Sequence, residues 1–75
     1  MSDSKSFRSG QKVRWQWGSG TGEGEVTDRF ERDVTRTLKG SQITRHGNAD
    51  NPAYLIRQGD GDEVLKLGSE LEGAN

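Results

Sequence analysis

Gly10-Gln11-Lys12-Val13-Arg14-Trp15-Gln16-Trp17 alternates apolar and polar side chains along its length. The apolar side chains stand at positions 13, 15 and 17, and the polar ones between them. Successive side chains of a β-strand point to opposite faces, so this pattern predicts a strand with one apolar face. The glycine-rich turn Gly18-Ser19-Gly20 that follows indicates a return strand, and the fold class is therefore predicted to be β.

The return strand is predicted to run from about Thr21 to Arg32. Asp28 falls on its apolar face, between Val26 and Phe30. Because a lone buried carboxylate is costly, we expect a β-bulge or a strong bend near Asp28 that turns the carboxylate outward.

A hairpin is predicted over residues 34–45, where two threonine-rich arms flank Lys39-Gly40. Glycine supplies the positive φ that a tight hairpin turn needs. Few large apolar side chains occur in either arm, so we expect the hairpin to project or to form a sheet edge.

The C-terminal half contains Ala53-Tyr54-Leu55-Ile56, which is apolar on both faces and is typical of the most buried strand. Val64-Leu65-Lys66-Leu67 completes a hairpin with it. Ser69 and Glu72 have capping-box spacing, which predicts one helical turn. The sequence thus predicts an all-β, SH3-like barrel of five to six strands with a short C-terminal helical turn.

The predicted barrel occupies residues 9–72, with a disordered tail over 1–8, anchored by Phe7, and a frayed end over 73–75. The 75 residues include no cysteine and no apolar run that could span a bilayer. With no secretory signal either, we expect a cytoplasmic bacterial protein, monomeric and without membrane contact. Residues 8–45 carry a net charge of +3 and residues 46–75 a net charge of −4, which can mark a polar partner surface or only a mixed-charge exterior.

Five segments together carry a resemblance to a known family: Gly10–Trp15, Gly22–Val26, Val34–Arg36, Asn51–Ile56 and Gly61–Leu71. They resemble the hypervirulence-associated Tudor-domain family of bacteria and fungi. The family implies a Tudor-like barrel and leaves the mechanism open, because one such fold hosts many functions. The resemblance covers roughly residues 7–72.

Catalytic and metal-binding constellations are not apparent in the sequence. His46 is the one histidine, and a general base needs an orienting partner and a nearby nucleophile, which loop spacing to Asp50 does not fix. Asp60, Asp62 and Glu63 are typical of a hairpin turn rather than of a calcium loop. We therefore predict a non-enzymatic interaction module without metal or cofactor.

Two surfaces are candidates for partner binding. The first combines Trp17, Tyr54 and the hairpin edge for a protein or peptide; the aromatic rings could form a cation–π cage or belong to the core. The alternative is nucleic-acid binding through an arginine-rich barrel face, in which phosphates would meet the guanidinium groups. The arginines proposed for that face are Arg14, Arg29, Arg36 and Arg45.

Overall fold

The computed structural model describes residues 7–74, and almost all of its regular structure is β. The prediction of an all-β fold with a C-terminal helical turn is confirmed. The described residues form seven strands, whereas the sequence predicts five to six. The last strand is only two residues long. The elements are β1 Lys12–Trp17, β2 Gly20–Phe30, β3 Asp33–Leu38, β4 Ser41–His46, β5 Ala53–Arg57, β6 Glu63–Leu67, a 3-10 turn Gly68–Glu70 and β7 Glu72–Gly73.

Five antiparallel strands form the larger sheet, in the order β6-β5-β2-β1-β7. Trp15 of β1 pairs with Gly22 of β2, and its indole covers that glycine. A Cβ at Gly22 would lie 2.6 Å from the Trp15 ring, which is closer than side chains approach. The large Trp15 ring therefore fits into the core because Gly22, opposite it on β2, has no side chain.

The predicted bulge lies in β2. Val26 pairs with Ile56, and the next paired residue is Asp28, opposite Leu55, so Thr27 is the extra residue. Asp28 is exposed as a result. The hydroxyl of Thr27 donates a hydrogen bond to the carbonyl oxygen of Leu55 at 3.1 Å and so stabilises the irregularity.

Strand β5 is buried on both faces, as its composition predicts. Its alternate side chains belong to two separate apolar clusters, which pack on opposite faces of the strand. The first cluster contains Tyr54 and Ile56 together with Phe7, Val13, Trp15, Val26 and Leu71. The second contains Ala53 and Leu55 together with Phe30, Val34 and Leu65.

The hairpin of β3 and β4 forms a two-stranded sheet of its own. Lys39 and Gly40 both have positive φ, 52° and 77°, as a type I′ turn requires. One face of the hairpin covers the second cluster through Val34, with Leu38 and Ile43 packed against it. The hairpin therefore contributes to the core.

Both ends of the described part of the chain pack against the barrel. Residues 1–6 of the predicted tail lie outside the described residues, but Phe7 is only 6% exposed and meets Tyr54 edge-on, with ring centroids 5.5 Å apart. Where fraying is predicted from residue 73, Gly73 pairs with Val13, and the Ala74 N–H donates to the Lys12 carbonyl oxygen at 3.1 Å. No helix of the described residues is long and apolar enough to cross a membrane.

The helical turn begins one residue before the predicted Ser69. Glu70, not Glu72, accepts the capping hydrogen bond, from the Leu67 N–H at 2.8 Å. Ser69 is engaged instead by Asn51, whose side chain bonds both its backbone N–H, at 2.9 Å, and its hydroxyl, at 3.1 Å.

Candidate functional site

Trp17 is the only exposed large apolar side chain among residues 7–74, at 60% exposure. Its ring lies over Gly20 at the end of the β1–β2 turn, since a Cβ built on that glycine would be 3.6 Å from the ring. Trp15, two residues earlier, is 4% exposed. The structure thus places one tryptophan in the core and one at the surface.

Tyr54 does not share a surface with Trp17. It is fully buried, and its hydroxyl accepts hydrogen bonds from the Phe7 N–H at 3.1 Å and from Arg29 Nε at 3.4 Å. A partner cannot contact this ring in the folded domain, so the predicted pairing of Trp17 with Tyr54 in an aromatic cage is not formed. Tyr54 instead holds the N-terminal segment to the barrel.

Three of the four arginines expected at a nucleic-acid face lie beside a carboxylate of the same chain. Hydrogen bonding to Glu31, and then to Tyr54, raises the pKa of Arg29 above its ordinary value. The four arginines also stand on four different strands, β1 to β4. The carboxylate pairs are Arg14 with Glu72, at 3.4 Å, Arg29 with Glu31, and Arg45 with Glu70, at 3.8 Å.

Arg36 is the exception. Its guanidinium lies over the Phe30 ring, 5.0 Å from the centroid, and that of Arg32 lies 5.3 Å from the same centroid. Neither arginine forms an ion pair with any carboxylate of the described residues. Cation–π attraction thus holds two guanidinium groups without ion-pair partners at the ring of Phe30, the last residue of β2.

The outer edge of β3 is open. The Gly47 N–H donates to the Arg32 carbonyl oxygen at 3.3 Å, so these two residues continue the hairpin as a hydrogen-bonded pair. Hydrogen-bonded pairs alternate along an antiparallel ladder, and the even-numbered residues of β3 therefore direct their N–H and C=O groups toward β4. Odd-numbered residues direct theirs away from it, toward an edge where no described strand pairs. The residues with outward N–H and C=O groups are Asp33, Thr35 and Thr37, and all three are exposed.

The tip and the opposite edge of the hairpin are tied to the rest of the domain by ion pairs. Lys39 Nζ lies 2.7 Å from Asp62 in the β5–β6 turn, and Arg45 of β4 reaches Glu70 of the 3-10 turn. The Asp62 carboxylate raises the pKa of Lys39, and Lys39 lowers that of Asp62. These exposed ion pairs link the tip and the β4 side of the hairpin to the rest of the domain, whereas no ion pair of the described residues links β3 to a segment outside the hairpin.

His46 is the last residue of β4 rather than a loop residue, and its neighbour is Asp33, not Asp50. His46 Nδ1 lies 3.2 Å from an Asp33 carboxylate oxygen, and both side chains are exposed. Residues 7–74 contain no group of three or more histidine, aspartate and glutamate side chains that could hold a metal ion.

Comparison with known proteins agrees with the predicted resemblance. The family described as "Hypervirulence associated proteins TUDOR domain" matches residues 10–71. Searches of curated proteins and of solved structures gave no match. Tudor domains are small β-barrel-like folds that generally act as non-catalytic binding modules, and the match names no partner. Because the match covers most of its residues, the chain belongs to the hypervirulence-associated TUDOR-domain family.

Proposed function

We propose that this domain is a non-enzymatic protein-binding module that takes an extended segment of a partner protein as an added strand on β3. The observation that supports this most directly is the open β3 edge, with the outward N–H and C=O groups of Asp33, Thr35 and Thr37. Proteins often recognise extended peptides by this kind of strand addition.

Backbone pairing alone would give weak binding. Three outward residues allow up to six hydrogen bonds, each worth about 0.5–1.5 kcal/mol net, or about 3–9 kcal/mol together. Association itself costs about 4–15 kcal/mol in lost freedom. Side-chain contacts of the partner must therefore supply the remaining affinity and all of the specificity.

Nucleic-acid binding is the second candidate, and the pair Arg32 and Arg36 is the observation that favours it. With Arg14, Arg29 and Arg45 already beside carboxylates, only these two charges of the hairpin region are available for phosphates. Two phosphate contacts to a single strand predict a slope of log K against log salt of only about −1.4. Such shallow dependence corresponds to weak binding, which is why strand addition is the better supported function.

The test of strand addition uses two proline variants. Thr35 and Thr44 are directly opposite each other, and their hydroxyl groups are 2.8 Å apart. Thr35→Pro removes an N–H that points to the open β3 edge, whereas Thr44→Pro removes one that points to the β4 edge. Neither takes part in the β3–β4 ladder, and proline is tolerated at such edge positions.

Peptides are selected on the wild-type domain from a random library and then measured against both variants by NMR titration. We expect them to slow hydrogen exchange at the amides of Asp33, Thr35 and Thr37. Their affinity should fall about tenfold or more for Thr35→Pro, through the lost hydrogen bond and the altered edge, and change little for Thr44→Pro. Equal binding to both variants, or protection elsewhere, for example around Trp17, would contradict the proposal.

A further inference from the structure

The Arg36 side chain occupies part of the open edge. Its Cβ lies on the same hairpin face as Val34 and Leu38, which is the face toward the core. Its guanidinium nevertheless bends around the strand, and Nη1 donates to the carbonyl oxygen of Thr35 at 3.0 Å. That carbonyl is one of the outward acceptors that an added strand would use. Arg36 therefore competes with any added strand for Thr35.

Arg45 makes the same contact at the other edge of the hairpin. Its Nη1 donates to the carbonyl oxygen of Thr44, also at 3.0 Å. Arg45 has an additional partner, because its Nε lies 3.8 Å from the Glu70 carboxylate. The two edges of one hairpin thus carry equivalent arginines, and only the one on β4 has a carboxylate of the described chain beside it.

A carboxylate is the group that the Arg36 site lacks. Arg32 and Arg36 both lie over the Phe30 ring, and neither forms an ion pair with an acid of the described residues. Guanidinium groups bind carboxylates through charge-assisted hydrogen bonds, which are stronger than a bond to a neutral carbonyl. An acidic side chain brought to this position would therefore draw Arg36 away from Thr35.

We propose that Arg36 selects the partner: the added strand carries an aspartate or glutamate opposite Arg36, which takes over the guanidinium and frees the Thr35 carbonyl for backbone pairing. This rests on the proposed strand addition. Residues directly opposite each other on neighbouring strands share a face, so the acidic side chain would point toward Arg36 and Phe30. The partner is accordingly an extended, acidic segment of a protein.

The test uses short acetylated peptides of alternating threonine and valine that differ only at the central position. That position carries glutamate, glutamine, lysine or phosphoserine. Affinity is measured by NMR titration at low and at high salt, and hydrogen exchange at the amides of Thr35 and Thr37 reports whether a strand has been added. We expect the glutamate peptide to bind about threefold to tenfold more tightly than the glutamine peptide at low salt. The lysine peptide should bind most weakly.

Arg36→Gln should abolish the preference for glutamate, and Arg45→Gln, the matched change at the other edge, should keep it. Arg36→Lys retains the charge without the planar fork, so it should keep only part of the preference. Circular dichroism checks that each variant is folded. If Arg36→Gln does not fold, the preference for glutamate measured with Arg36→Lys decides whether Arg36 selects the partner.

Each other result has a defined meaning. Amide protection with equal affinity for the glutamate and glutamine peptides would overturn the role of Arg36 and leave strand addition standing. No protection of these amides by any of these peptides or by the peptides selected from the library would overturn both. Tighter binding of the phosphoserine peptide would assign the site to phosphorylated partners instead of carboxylates. A single-stranded oligonucleotide that shifts the Arg36 side-chain signals more than any peptide would assign it to nucleic acid.

Discussion

Replacing Tyr54 by phenylalanine tests whether this aromatic residue is structural. The ring would stay in its cluster, and only the hydroxyl would be lost. That oxygen accepts the Phe7 N–H at 3.1 Å, and the Arg29 contact, at 3.4 Å, is too long to contribute much. The Phe7 N–H bond is buried, so the variant leaves a donor without its acceptor.

Leaving a buried polar group unsatisfied costs about 1–3 kcal/mol, and we expect Tyr54→Phe to lower the free energy of unfolding by that amount. For a domain of this size the melting temperature should fall by about 4–8 °C for each kcal/mol. Urea denaturation followed by the fluorescence of the buried Trp15 measures the change, with Trp17→Phe as the background so that the exposed indole adds no signal. The Phe7 amide should also exchange faster with solvent.

A loss below about 0.5 kcal/mol, within the range of ordinary surface changes, would refute this reasoning. It would mean that the N-terminal segment is not held by the tyrosine hydroxyl. Trp17→Phe alone should change stability little, because Trp17 lies largely in solvent.

Two further predictions follow from contacts of the barrel. Gly22→Ala should destabilise the domain by about 1–3 kcal/mol in urea denaturation, because the new Cβ would lie 2.6 Å from the Trp15 ring. Gly59→Ala has open space around the new Cβ and should not destabilise the domain. Equal effects of the two substitutions would contradict the close packing of Gly22 against Trp15. Lys39 lowers the pKa of Asp62, so the stabilising contribution of this pair is present above the ordinary aspartate pKa and is lost as pH falls through the lowered one. NMR titration of the Asp62 carboxylate should show its pKa return toward the ordinary value in Lys39→Met, and an unchanged pKa would contradict the ion pair.

Much of the fold could be predicted because the alternation of side chains between the two faces of a strand is a local property of the sequence. The alternation from Val13 to Trp17 predicts the first strand and one apolar face. The carboxylate of Asp28 on an apolar face predicts a bulge or a strong bend, since either would turn it out of the core. The apolar run around Leu55 predicts the most buried strand by the same reasoning.

The rest depends on contacts between distant residues. Nothing near Ser69 in the chain shows that Asn51 will bond it, so the helical turn was predicted one residue late. The alternation of side chains also cannot show whether Tyr54, in a strand that is apolar on both faces, reaches the surface, and in the structure it is buried. The ion pairs of Arg14 and Arg45 depend on acids in the C-terminal segment, far along the chain.

The open edge could have been derived in part from the sequence. The two-residue turn Lys39-Gly40 fixes the register of the hairpin, and that register decides which residues of β3 direct their backbone outward. What the sequence could not show is that β4, and not β3, is tied to the 3-10 turn through Arg45. The identity of the free edge is therefore a tertiary property.

The position of β5 between two clusters has a consequence for synthesis of the chain. Residues 53–56 supply side chains to both clusters, so neither can close while the ribosome has delivered only the first four strands. A nascent chain that ends at Asn51 contains only part of the side chains of each cluster, so neither cluster is complete. Folding of the whole domain should accordingly wait for the emergence of β5, and a fragment ending before it should not fold alone.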